Sequence, residues 1–157
     1  MIQISNPYAG RDDYNCFGCA PNNIYGLQME FYLEDEKVIS LWEPKPHFAG
    51  WKNILHGGIQ STLMDEIASW FVFTKLETGG VTSSLEVRYK KAVAVDKGKI
   101  KLVATQKSLM RNLVEISVEL FDAEDNLCSV GNVKYFLFDK EKARKELSYP
   151  GLKEFLK

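Results

Sequence analysis

The sequence predicts an α+β fold in which one long helix packs against an antiparallel sheet. Three observations predict it. Residues 54–76 repeat apolar side chains at helical spacing, through Ile59, Leu63, Ile67 and Trp70–Phe71. The segments on either side are strand-length runs rich in Val, Leu, Ile, Phe and Tyr. Short turn-forming intervals separate those runs, which favours antiparallel neighbours.

The elements follow in order. Residues 1–26 form an irregular N-terminal arm, because Asn6-Pro7, Ala9-Gly10, Pro21-Asn22-Asn23 and Gly26 are turn formers. Leu27–Leu33 alternates apolar and polar as a half-buried strand does. Asp35-Glu36 turns the chain, and Lys37–Trp42 returns as a second strand, stopped by Pro44 and Pro46. The central helix ends at Thr78-Gly79-Gly80. Four strands follow over 81–90, 99–107, 113–121 and 127–138. Asp96-Lys97-Gly98, Met110-Arg111-Asn112 and Asp122–Asn126 separate them. The sheet-and-helix domain thus spans 27–138, and 139–157 is a helical tail. In that tail Asp139–Glu146 is a solvated helix, Tyr149-Pro150-Gly151 breaks it, and Leu152, Phe155 and Leu156 dock a last short helix. One sheet covered by one helix leaves apolar surface open, so a partner subunit is expected to cover part of it.

A chain of 157 residues fits one domain. Such a domain buries roughly 68–70% of its unfolded surface, enough for a core without staples. The 45% hydrophobic and 26% charged content is that of an ordinary soluble protein. The 20 basic and 21 acidic residues nearly cancel, which argues against nucleic acid as partner. Cys16, Cys19 and Cys128 are an odd count and not a secreted disulfide framework. No signal-peptide pattern and no run of about 18 apolar residues is present, so a cytoplasmic protein with no membrane partner is expected.

The chemistry is concentrated at the start of the central helix, His56-Gly57-Gly58 followed by Leu63-Met64-Asp65. Two glycines there let a ligand approach the backbone. The unpaired N–H groups and the positive end of the dipole suit an anion or a developing oxyanion. Asp65 lies seven residues after Gly58, on nearly the same face and roughly 10 Å along the axis. Ser61, Thr62, Ala68 and Ser69 fall within about 60° of that face. Leu63, Ile67 and Trp70 take the opposite, core-facing side. A helix Asp is ordinarily solvated and Gly-Gly is ordinarily a turn. A mid-helix Asp in so apolar a helix, on a small-residue face leading back to two glycines, is less ordinary.

His-Gly-Gly followed by Leu-x-Asp, with the Asp nine after the His, resembles the motif of the PaaI-like (phenylacetyl-CoA-type) hotdog thioesterases. The strand–strand–helix–four-strand order resembles that fold over residues 25–138. Cys16-Phe17-Gly18-Cys19 and Gly26-Leu27 resemble the arm of many members. The resemblance implies a hotdog fold, an antiparallel sheet wrapped around one long central helix. It implies that the Gly57 N–H faces the thioester carbonyl oxygen, and that Asp65 is nucleophile or general base on a water. His56 would orient substrate or support the turn, and Thr82 would stand near the attacking water. The site would form between two subunits, with His56-Gly57 from one and Asp65 from the other. The sequence departs from the family at Gly50, six before the His, where Asn or Gln is frequent. Asn53 is three residues off that register. A proline frequent in the family is replaced by Ala92.

Other positions carry weaker signals. Cys16-x-x-Cys19 has the form of a zinc half-site or a redox pair, but Cys128 and the two histidines show no matching spacing, so no metal is expected. His47 faintly echoes hotdog dehydratases, yet Ser61 stands where that pattern needs Glu. Lys90, Lys91 and Arg111 lie at strand ends or turns, by default solvated and alternatively in contact with coenzyme A phosphates. Phe48 and Trp51 lie near the site and, with Gly58 and Asn53, are candidates for the substrate pocket. The expected function is hydrolysis of an acyl-CoA thioester by a homodimer or homotetramer without cofactor. The alternative is a hotdog protein that binds acyl-CoA, or acyl-carrier protein, without turnover.

Overall fold

A computed structural model describes all residues from Met1 to Lys157. Seven antiparallel strands form a single sheet: β1 (Ile2–Gln3), β2 (Tyr32–Glu34), β3 (Lys37–Trp42), β4 (Gly80–Tyr89), β5 (Ile100–Met110), β6 (Leu113–Phe121) and β7 (Leu127–Leu137). Their order across the sheet is β1-β2-β3-β5-β6-β7-β4. The long helix α1 (Gly57–Lys75) lies against the sheet, and α2 (Lys140–Leu147) and α3 (Leu152–Phe155) follow β7. This is the α+β architecture that the sequence predicts and the hotdog fold that the resemblance implies.

Helix α1 buries Leu63, Ile67 and Trp70 against the alternating inward residues Leu102, Ala104, Ile116, Val118 and Val133. Fully burying each large apolar side chain is worth about 1.5–3 kcal/mol. Gly131 on β7 sets the approach distance, since a Cβ there would lie 2.5 Å from the Met64 sulfur. Ala68, expected on the polar stripe, is buried instead.

The structure differs from the sequence expectation in three places. The strand expected over 27–33 is paired as a strand only from Tyr32. Gln28 has φ 51°, and the backbone N–H groups of Leu27 and Met29 donate to Phe17 and Gly18 of the arm. The alternation was correct as burial, since Leu27, Met29 and Phe31 are all buried. Residues 1–26 contain a strand, β1, and contribute Ile4, Tyr8 and Cys19 to the core. At the end of α1 the left-handed residue is Glu77, at φ 52°, and Gly80 already begins β4.

The placement of β4 matters most for function. It is the last strand of the sheet, so its outer edge is unpaired, and it lies along α1. Val81 and Tyr89 on it are 48% and 53% exposed.

Candidate active site

His56 caps α1, and its Nδ1 accepts from the Gly58 N–H at 2.8 Å. That bond satisfies one of the unpaired donors at a helix start. The Gly57 N–H is left without a protein acceptor. The carbonyl of Gly57 accepts from the Tyr89 hydroxyl at 2.7 Å, and that hydroxyl lies 3.0 Å from Ser61 Oγ. A Cβ on Gly57 would meet the Tyr89 ring at 3.3 Å, so the glycine lets β4 close over the helix start. Beside this turn lies a cleft of about 320 Å³ lined by His47, Phe48, Ala49, His56, Gly58, Ile59 and Thr62.

Two turns further along α1, half-buried Asp65 accepts at Oδ1 from the Thr82 hydroxyl of β4 at 2.7 Å. Its Oδ2 has no protein donor. The Tyr135 hydroxyl lies behind it, 3.4 Å from the Asp65 carbonyl. Burial, and next the Asp65 charge, push the Tyr135 phenol well above its usual range, so it stays a neutral donor. One face of α1 therefore carries a free backbone donor at its start and a hydroxyl-oriented carboxylate in its middle. The two are eight residues apart, about 12 Å along the axis, too far to act on one carbonyl within a single chain.

The structure brings together His56, Gly57, Gly58 and Phe48 at the cleft, and Asp65 with Thr82. Trp51 does not line the cleft; it is 73% exposed, with the Lys52 ammonium over its ring. Asn53 has φ 64° and donates to Asp96 at 2.8 Å, which holds the 50–55 loop rather than reaching toward the cleft. Lys90 and Lys91 follow Tyr89, and Lys91 pairs with Asp122 at 3.5 Å. Arg111 occupies the β5–β6 hairpin turn with φ 56°. That turn meets β7 near Leu137, which pairs with Gly80, so Arg111 is at the opposite end of β4, roughly 30 Å from Lys90.

Sequence reasoning missed Tyr89 and Tyr135, because a tyrosine in a strand reads as packing until the strand's neighbour is known. It also missed the meeting of Cys16 and Cys19 with Glu66. There burial pushes the Glu66 carboxyl up to about 8. A cleft of about 670 Å³ is bounded by the arm, Phe31 and the C-terminal Lys157 and holds none of the expected residues.

One long helix embraced by an antiparallel sheet, with a polar stripe under an edge strand, defines a hotdog protein. Residues 52–129 match the family model of the thioesterase superfamily. Over those residues, just under half of the chain, the sequence is similar to that superfamily. A hypothetical thioesterase from Streptococcus pneumoniae TIGR4, crystallised with coenzyme A, has a TM-score of 0.66 at 20% identity, covering 71% of this chain and 87% of its own. A Streptococcus mutans protein bound to acetyl-CoA has a TM-score of 0.67 at 16% identity, covering 83% and 98%. Another thioesterase superfamily protein matches with a TM-score of 0.65 at 18% identity over 74% of this chain, which spans 60% of that protein's length. At these identities the likeness is one of fold. No curated protein matches the chain significantly. No helix is long and apolar enough to cross a membrane.

Proposed function

We propose that the protein is a PaaI-like acyl-CoA thioesterase, active as a homodimer or dimer of dimers in the cytoplasm and needing no cofactor. The observation that carries this reading is the Asp65 carboxylate, held at one oxygen by Thr82 and open at the other, on the helix face that begins with the free Gly57 N–H. In the reaction the thioester carbonyl oxygen lies against the Gly57 N–H, which stabilises the developing oxyanion together with the helix dipole. Asp65 either takes a proton from a water that attacks the carbonyl carbon or attacks it directly. A C–O bond forms, the C–S bond breaks, and coenzyme A leaves as the thiol, taking the proton that Asp65 removed from the water or, after direct attack, one from solvent. The acyl–Asp65 anhydride of the direct route is then hydrolysed by water to the free acid and Asp65. The 12 Å separation within one chain, about eight residues of helix rise, favours a site completed by a second copy across the β4 edge. His56 fixes the helix start by capping Gly58, and Thr82 orients the carboxylate. Phe48 and Gly58 border the cleft that would admit the acyl group. Lys90, which follows Tyr89 and makes no ion pair, is a candidate to meet a phosphate, with Lys91 and Arg111 as further candidates.

A panel of acyl-CoAs with colorimetric detection of free thiol tests the reading. Turnover of at least one member supports it. Binding of acyl-CoA without thiol release would instead identify a ligand-binding protein.

A further inference from the structure

The arm residues Cys16 and Cys19 face Glu66 of α1, the residue after Asp65. One ligand atom from each of the three lies within 4.8 Å of the others. The Cys16 sulfur is 3.4 Å from Glu66 Oε1. Zinc bonds of about 2.3 Å to sulfur and about 2.0 Å to carboxylate oxygen, at a tetrahedral angle, put those two atoms about 3.5 Å apart. The spacing is therefore already that of two ligands on one metal.

The surroundings point the same way. The only donors to the Glu66 carboxylate are the Cys16 thiol and the Trp70 indole N–H at 3.3 Å, both on Oε1. No Lys, Arg or His pairs with it. A bound cation would be the only positive partner of this carboxyl group. Gly18, between the two cysteines, leaves the room it occupies, because a Cβ there would lie 2.4 Å from the Glu66 carboxyl carbon. A cleft of about 260 Å³ bordered by Tyr14, Ser69, Trp70 and Phe73 opens onto the cluster and has room for a water.

We propose that Cys16, Cys19 and Glu66 bind a zinc-type divalent cation, with a water from this cleft as fourth ligand, and that the metal staples the N-terminal arm to the middle of α1. The two thiols and the carboxyl release their protons to solvent on binding, and nothing is oxidised or reduced. Glu66 follows Asp65 on α1, about 100° further round the helix, and the metal takes no part in the proposed thioester chemistry.

Cobalt(II) tests the proposal directly. The full chain, reduced and freed of metal with a chelator, is titrated anaerobically with cobalt(II) and then with zinc(II). One equivalent of cobalt should bind with a thiolate charge-transfer band and the intense visible bands of tetrahedral coordination, and zinc should bleach both. Cys16→Ser and Cys19→Ser should each abolish the charge-transfer band or sharply weaken it, and Cys128→Ser should leave it intact. Glu66→Gln keeps an acceptor for Trp70 and should retain a thiolate band while weakening affinity at least about tenfold, the lower end of what a lost metal-site partner costs. Absence of the band in the wild-type protein overturns the proposal. So does a band unchanged in both cysteine variants, or a Cys16–Cys19 disulfide that forms readily in a protein with no cobalt affinity when reduced.

Discussion

The Thr82 hydroxyl has one proton to donate, and it donates it to Asp65 Oδ1 at 2.7 Å. That bond holds one carboxylate oxygen and leaves Oδ2 without a protein donor. Thr82→Val keeps the shape and removes the donor. Hydrogen bonds to charged groups are worth about 1.5–3 kcal/mol, so kcat should fall about 10- to 100-fold, and Thr82→Ser should restore most of it. An unchanged kcat for the valine variant would mean that the bond orients nothing. Gly50 offers a second test. Its φ is not positive, and a Cβ there would come within 3.2 Å of His56 Cδ2. Gly50→Asn should therefore shift acyl preference by moving the His56 ring, with little change in Tm. Identical selectivity at identical Tm would remove position 50 from the substrate site. At this scale His56, Gly57, Gly58 and Asp65 were legible because their relation is local, set by helix geometry alone. Thr82 entered only through the family resemblance. Tyr89, Tyr135 and the Cys16–Cys19–Glu66 cluster were not legible, since nothing within 17 residues of sequence says which strand or arm will face a given helix position.

Helix α1 and strand β4 carry the proposed site, joined by Tyr89 at one end and Thr82 at the other. Tyr89→Phe removes the bonds to the Gly57 carbonyl and Ser61 while keeping the ring. It should lower stability by about 1 kcal/mol, the ordinary worth of one hydrogen bond, read as a drop in Tm. If the Gly57 turn depends on it, kcat/KM falls as well. No change in either would show that the glycines hold the turn unaided. The helix itself was plain in the sequence, because a 3.6-residue apolar period over five turns is a local signal. Strands β4 to β7 were plain in kind, although their ends shifted by up to three residues. The segment before β2 was misread in its pairing, because Gln28 at φ 51° interrupts the strand and the arm takes over its backbone bonds. The short strand β1 carries no signal of its own, since two residues, Ile2 and Gln3, are held only by pairing with Leu33 and Tyr32.

For the whole molecule, the edge strand β4 is exposed along its length, and Val81, Tyr89 and Phe136 leave apolar surface at that end of the sheet. Sedimentation should give a dimer or dimer of dimers. A fully active monomer would contradict the shared site. Lys90 and Arg111 lie roughly 30 Å apart on one chain, as judged from strand rise, and only association could set them around one ligand. Substituting Lys90, Lys91 or Arg111 by Ala should raise KM for CoA thioesters more than it lowers kcat, because phosphate contacts are felt equally in ground and transition states. The effect should shrink at high salt. Three variants with unchanged KM would place the phosphate path elsewhere. The most direct measurement is the turnover of Asp65→Asn on the best acyl-CoA, with its oligomeric state checked alongside. The variant keeps the acceptor for Thr82 and loses the charge, so it can neither attack the thioester nor take a proton from water. A fall in kcat of roughly 10²- to 10⁴-fold with acyl-CoA binding retained is the predicted result. Turnover above about a tenth of the wild-type rate, well short of that expected loss, would contradict the assignment of Asp65 as the catalytic carboxylate.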